Sequence, residues 1–522
     1  MTRYRVLVGA IVIQMILGTV YGYSIFWQPL LGEVFIPVVT EARAAELEAA
    51  GTSLASYEVV ADAEAQRVVV ERQRGYLKQA FALCILSFAL VMVVAGAVQD
   101  RIGPRITALI GAGLMGTGFV LAGLLQYPVV FLLAHAVLVG IVALVLMLAL
   151  HALLAPWCGP ADGGLTRLVP LAVAASAAVA GVLLGQQYVG QSGQIDRLLL
   201  LWGTIGVLAG AGIGFAYVCP IAALIKWFPN QKGLMAGVAV AGFGFGAFLF
   251  KGQTIGALGF IESFGIRSFF IVHGLVCLVG VGVGAAMLSN PPESQDAGTD
   301  APRMDSQDSD WRVTIRQPGF YVLWLMFFAG SLAGLMVIGI VKDFAGEQLV
   351  AAAGGEAALA ADRRDALLIK GAEAIGWLAI FNAVGRVVWG AVSDRVGRTG
   401  SFIAVFLLQA GVLFGLAFMK TNVSLAVAAS LIGFNYGGCF ALFPSATADM
   451  FGAKNLGANY GWVFTSYGIA GVVGVAAGNA AKTLTGSYAA AFNAAAVLCL
   501  IAAALAVVLA RLPKSPPDPA ST

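Results

Sequence analysis

Charge is what this sequence has least of. Asp, Glu, Lys and Arg make up 11% of its 522 residues, where soluble globular domains carry roughly 25%. A water-soluble enzyme surface cannot be assembled from so few charges, and no stretch is long and polar enough to fold as a separate catalytic domain. Histidine is scarce too, with three in the chain. His135, His151 and His273 stand alone, without a ligand-type partner one helical turn away, so a metal centre is not expected. The six cysteines (Cys84, Cys158, Cys219, Cys277, Cys439 and Cys499) are scattered singly, most of them in apolar runs. They form no C-x-x-C pair and read as packing residues. The net charge of +3 is small and points to no nucleic-acid partner. No feature calls for a cofactor.

What the sequence does have is hydrophobic length. Sixty per cent of the residues are apolar and the mean hydropathy is +0.89. Runs of about 20 apolar residues, enough to cross a hydrocarbon core of ~30 Å, recur from one end to the other. Spans are expected near 6–28, 78–98, 105–125, 128–153, 168–188, 198–224, 234–254, 267–288, 318–341, 372–392, 401–419, 422–446, 458–479 and 488–510. That makes an all-α polytopic membrane protein of about 14 transmembrane helices. The first run follows Arg3 and Arg5 as a signal peptide would. It lacks a small-x-small cleavage site and continues into Trp27-Gln28-Pro29, so it reads as the first span.

Lys and Arg orient the chain, because they concentrate on cytoplasmic loops. Arg3, Arg5, Arg101, Arg105, Lys226, Lys232, Arg395, Arg398, Lys454 and Arg511 fall on one side. Both termini are therefore expected in the cytoplasm and the protein in the inner (plasma) membrane. Two long external segments, near 38–77 and 343–371, are rich in Ala, Glu and Arg and favour short surface helices. A polar segment at 290–317, with Pro291, Pro292 and several acids, divides the chain into halves of 1–289 and 318–522.

The halves are related. Gly96-Ala-Val-Gln-Asp100-Arg101-Ile-Gly103 returns as Gly390-Ala-Val-Ser-Asp394-Arg395-Val-Gly397, and Ile213-Gly-Phe-Ala-Tyr217 returns as Ile432-Gly-Phe-Asn-Tyr436. A parallel repeat of six helices, rocking about a site between the halves, is one transporter architecture. Asp100 and Asp394 lie 294 positions apart but Gly214 and Gly433 only 219. The first half thus holds about 75 extra residues, which contain spans 128–153 and 168–188. The expectation is a 12-helix core plus an inserted two-helix hairpin at about 127–196.

The loop Gly96-x-x-x-Asp100-Arg101-x-Gly103 resembles the signature loop of the major facilitator superfamily. The runs Ile213 to Phe250, Gln99 to Arg105 and Gly334 to Gly339 are similar to those of the oxalate/formate antiporter family and related monocarboxylate transporters. The resemblance implies a secondary transporter and spans nearly the whole chain except the outer loops and the hairpin. It also implies that Arg386 matches the carboxylate-binding arginine of the eighth core helix. Asn382 stands where several relatives carry Asp, and Tyr467 where oxalate-specific members place Lys. No Lys or Arg occurs between Asn455 and Ala481, so a second cation for a dianion is missing.

Elementary physics reads the same residues. Asp100 and Asp394 end helices on the cytoplasmic side beside Arg101 and Arg395. A carboxylate there can pair with arginines and with the positive N-terminus of a neighbouring helix. Asp100, Arg101, Asp394 and Arg395 are therefore expected to gate. No acid falls near mid-membrane, and among the bases Arg386 alone lies deep. An Arg there costs about 2.5–3.5 kcal/mol on insertion scales and should face the bundle interior. With no buried carboxylate to neutralise it, its counter-ion is expected to be substrate. Asn382 shares its helix face, and Tyr217, Tyr436 and Tyr467 lie in Gly-rich core helices. Lys251, near a helix end, can snorkel to the interface.

The expected function is secondary transport of a small monocarboxylate, lactate- or formate-like, with protons as the coupling partner and the bilayer as solvent. An oxalate/formate-type exchanger is the alternative. A non-transporting receptor or sensor is the alternative of another class, though the linker offers no signalling domain. A membrane enzyme finds no support, for want of an intramembrane Asp/His/Ser cluster. The sequence leaves the oligomeric state open.

Overall fold

The computed structural model describes residues 2–124, 194–250, 257–292, 308–355, 359–371 and 373–512. The two extra spans with His135 and His151, most of the linker, and Lys251 lie outside these residues.

Twelve long helices carry the fold. They are α1 (Thr2–Leu17), α2 (Ala63–Ile102), α3 (Pro104–Leu124), α4 (Gly210–Trp227), α5 (Lys232–Phe250) and α6 (Ala257–Met287) in the first half. The second half holds α7 (Pro318–Ala352), α8 (Glu373–Val396), α9 (Arg398–Gly415), α10 (Asn422–Phe451), α11 (Leu456–Thr485) and α12 (Ala489–Arg511). Eleven helical stretches among the described residues are long and apolar enough to cross a membrane. The 19-residue α5 completes the bundle. Each matches an expected span.

Their lengths differ from the sequence reading. α2 has 40 residues and α7 has 35. At 1.5 Å per residue α2 runs to about 60 Å, twice the hydrocarbon thickness. Much of what looked like external loop is helix continuing beyond the apolar run, started by Asp62, whose carboxylate accepts the Ala65 N–H at 2.8 Å. A short helix does occur at Glu41–Ala49, and another at Ala361–Lys370. A feature the sequence did not announce is a small parallel sheet, β1 (Val38–Thr40) against β2 (Glu58–Val60), pairing Val38 with Glu58 and Thr40 with Val60.

Large apolar side chains such as Leu90, Val94, Val279, Leu407 and Ile501 are exposed. On a bundle this apolar, that face is the one made for lipid. All five cysteines among the described residues are free and buried, as packing residues should be.

Glycines set how closely the halves meet. α2 lies along α11 and α5 along α8. A Cβ at Gly96 would strike the Gly457 carbonyl, and one at Gly390 the Gly233 carbonyl. Further along, Gly461 sits on Met92 and Gly237 on the backbone of Arg386. Gly233 and Gly237 recur as Gly457 and Gly461 at a common offset, so both contacts follow from the repeat.

Candidate functional site

Two sets of residues meet between the halves. The first lies at the end of the bundle where α2 and α8 stop. Asp100 accepts the Gly457 N–H at 3.2 Å and the Ala458 N–H at 2.7 Å. Asp394 accepts the Gly233 N–H at 2.9 Å and the Leu234 N–H at 2.8 Å. Each carboxylate thus caps the opening turn of a helix in the opposite half, satisfying donors that have no partner within their own helix. The spacing in Gly-x-x-x-Asp explains itself here. Residues four apart share a helix face, so Gly96 lets the backbones approach while Asp100 reaches the exposed N–H groups. Gly103 (φ 88°) and Gly397 (φ 91°) then turn the chain in a region that side chains disfavour.

The charges around these aspartates are not the expected ones. Arg101 and Arg395, placed by sequence as their partners, are exposed and form no ion pair among the described residues. One residue along a helix is about 100° around it, which points them away. Asp100 instead has Lys226 at 3.7 Å. Asp394 has Arg398 at 2.9 Å, and Arg398 also binds Asp449 at 2.9 Å. Lys232 reaches the same Asp449 at 2.8 Å across the two halves.

The second set lies midway along the helices. Arg386 is fully buried. Its Nε donates to Asn382 Oδ1 at 2.9 Å, and one terminal nitrogen donates to the Val240 carbonyl of α5 at 2.6 Å. The other terminal nitrogen has no partner. Phe440 and Phe243 stand 4.7 and 5.7 Å from the guanidinium carbon, close enough for cation–π attraction. Among the described residues Arg386 forms no ion pair, so its charge is held by dipoles and ring faces alone. The carbonyl contact is a structural bond, yet it uses only part of the fork.

Tyrosines surround this cation. Tyr217, Tyr436 and Tyr467 are all buried. The Tyr217 hydroxyl lacks a partner among the described residues, that of Tyr436 faces the hydroxyls of Tyr21 and Tyr467, and both lie within electrostatic reach of Arg386. Tyr467 shares a hydrogen bond of 3.2 Å with Tyr21. Two tyrosines escaped the sequence reading. Tyr21 comes from a 3-10 stretch, Gly18–Phe26, that continues α1. Tyr460 of α11 is buried with an unpaired hydroxyl, also within reach of Arg386. Rings of Phe88, Phe243, Phe440 and Phe464 fill the spaces between them. The set draws on the stretch after α1 and on α2, α4 and α5 from one half, and on α8, α10 and α11 from the other. It is a buried aromatic cluster with one cation, one amide and several hydroxyls, suited chemically to a small anion with polar edges.

The family model described as the Major Facilitator Superfamily matches residues 166–361 and 367–522. The chain belongs to the Major Facilitator Superfamily. It is similar to the oxalate:formate antiporter of Oxalobacter formigenes, 30% identical over 327 residues that cover 62% of this chain and 72% of that protein. It also resembles monocarboxylate transporter 12 of Xenopus laevis, 25% identical over 344 residues, 60% of this chain and 70% of that one. Among solved structures, the proton:xylose symporter XylE superposes with a TM-score of 0.56 at 12% identity, covering 96% of this chain and 94% of the other. That likeness speaks to the fold alone. This major facilitator protein is accordingly a multi-pass membrane transporter and not an enzyme.

Proposed function

We propose that this transporter carries a small monocarboxylate, lactate- or formate-like, by alternating access and in symport with protons. The observation that carries the reading is Arg386, fully buried between the halves with one guanidinium nitrogen unpaired and no acid beside it. A planar fork suits a carboxylate, and Asn382 keeps that fork turned toward the tyrosines. Tyr217, Tyr436, Tyr467 and Tyr21 offer hydroxyls to the rest of the anion. A single cation balances a monoanion. Tyr467 stands where a second cation would be needed for oxalate.

Asp100 and Asp394 act as gates in this scheme. The positive-inside bias puts their end of the bundle, and both termini, in the cytoplasm of a plasma-membrane protein, with 1–289 and 318–522 as the rocking halves. The contacts described then belong to a form closed toward the cytoplasm. Obligate exchange is a second reading, favoured by the same unpaired Arg386: an empty site returns with an uncompensated charge in a low-dielectric setting, which raises its barrier. Proteoliposomes separate the two. Labelled lactate or formate should accumulate in vesicles free of internal anion under an inward proton gradient, with oxalate taken up poorly. Accumulation only after preloading with a carboxylate means exchange, and absence of any uptake overturns the transport of these anions.

A further inference from the structure

The two gates are built from the same repeat but braced differently. At the start of α5, Lys232 binds Asp449 and Arg398 binds both Asp449 and Asp394. At the start of α11 the position equivalent to Lys232 is Leu456, so no such ion bridge can form. Nor does α11 cap itself: Asn455, its N-cap residue, makes no side-chain bond to its own first turn.

That amide is engaged elsewhere. Asn455 Nδ2 donates to the Ser309 carbonyl at 3.2 Å, and Asn459 Nδ2, one turn further along α11, donates to the same oxygen at 3.0 Å. The Ser309 N–H donates to the Phe451 carbonyl at 2.9 Å, at the end of α10. The Asp308 carboxylate accepts the Lys454 N–H at 3.1 Å and presses on Gly452 (φ 86°), where a Cβ would collide with it. Trp311 stacks on Trp462 at 5.6 Å. Three residues just ahead of α7 thus grip the α10–α11 turn by its backbone, its side chains and the first turns of α11. Gly457 and Ala458, whose N–H groups hold Asp100, lie between Asn455 and Asn459.

We propose that Asp308, Ser309 and Trp311 form a strap that positions the first turn of α11 for Asp100, replacing the ion bridge that braces the other gate. Asn455 and Asn459 are its receivers and act through Asp100 rather than on substrate. The first turn of a helix left without a cap frays, and its N–H groups then point in no fixed direction. With the strap in place the two donors stay where the carboxylate meets them on each closure.

The proposal rests on the gate reading above, and a mutant cycle keeps the two apart. The reporter is Cys219, buried in α4 within electrostatic reach of Asp100, in a protein whose other five cysteines are replaced. Its maleimide labelling rate is followed in inside-out vesicles across pH and compared at equal thiolate fraction, so that the lost Asp100 charge is not read as opening. Asp100→Asn should raise that rate, and no change there would overturn the gate reading itself. Asn455→Ala with Asn459→Ala should raise it about tenfold, the size expected from two lost hydrogen bonds of ordinary strength. Added to Asp100→Asn, the pair should raise it no further. Added to Asp394→Asn, the effects should multiply, because those sites are independent. Multiplication in both backgrounds, or no effect of the pair, would overturn the strap. If the double variant does not fold, Asp308→Asn and Trp311→Leu run the same cycle from the other side of the contact.

Discussion

Arg386 is a fully buried cation, and the cost of holding a charge there is the reason to look for its use. A buried guanidinium held by one amide, one carbonyl and two ring faces leaves one donor without a partner among the described residues. Asn382 matters because it spends its oxygen on the fork. Asn382→Leu removes that hold while keeping helix and volume, and affinity for lactate should fall roughly tenfold for about 1.5 kcal/mol of lost charge-assisted bonding. Equilibrium binding to the purified protein checks it; an unchanged affinity would leave Asn382 as a helix-packing residue. Tyr467→Lys tests the charge count. A second cation in the tyrosine cluster should bring oxalate into competition with lactate, and unaltered selectivity would remove Tyr467 from the site. Arg386 was legible because a lone deep cation in an apolar sequence is conspicuous. Tyr21 and Tyr460 were not. Neither belongs to a repeated motif, and within an all-apolar span nothing in the sequence tells which face looks inward.

At the scale of the helix, the proposed gate is a property of paired elements. Gly96 and Asp100 on α2 serve the start of α11, and Gly390 and Asp394 on α8 serve the start of α5. The repeated motif announced a matched pair of aspartates and the positive helix end each would meet, but not that this helix lies in the opposite half. It did not announce which bases join them, since Lys226 and Arg398 come from elsewhere in the chain or the next turn, whereas neighbours in sequence diverge around a helix. The true lengths of α2 and α7 were hidden for another reason: Ala, Glu and Arg read as loop on hydropathy but are good helix formers. The small sheet needs two segments about twenty positions apart to meet, which no local pattern encodes. The gate prediction follows from the close backbones. Gly96→Val puts a side chain into the Gly457 carbonyl, an overpacking cost of about 1–3 kcal/mol charged only to the closed form. Labelling of Cys219 from the cytoplasmic face should rise by about ten- to a hundredfold, with the folded protein otherwise intact. An unchanged rate would show that the halves do not close there.

For the whole molecule, twelve long helices among the described residues pack with the buried Arg386 and its neighbouring tyrosines inside, and by sequence the first half carries about 75 residues more than the second. The repeated motifs lie on either side of them, Gly96–Gly103 before and Ile213–Tyr217 after, and both recur in the second half. Joining Tyr127 to Asp196 should therefore keep the topology and retain uptake of lactate within a few-fold. Loss of uptake by a properly folded protein would make the hairpin part of the machine. The central claim is that a carboxylate is held by the Arg386 fork between the halves, and binding measures it without the complications of coupling. Calorimetric titration of purified protein with lactate should give saturable binding that Arg386→Lys weakens at least tenfold, because charge stays and the fork is lost. The ligand-free variant should melt close to the parent, since the carbonyl of Val240 and Asn382 still find an ammonium donor. Lactate binding of unchanged affinity in Arg386→Lys would contradict the account.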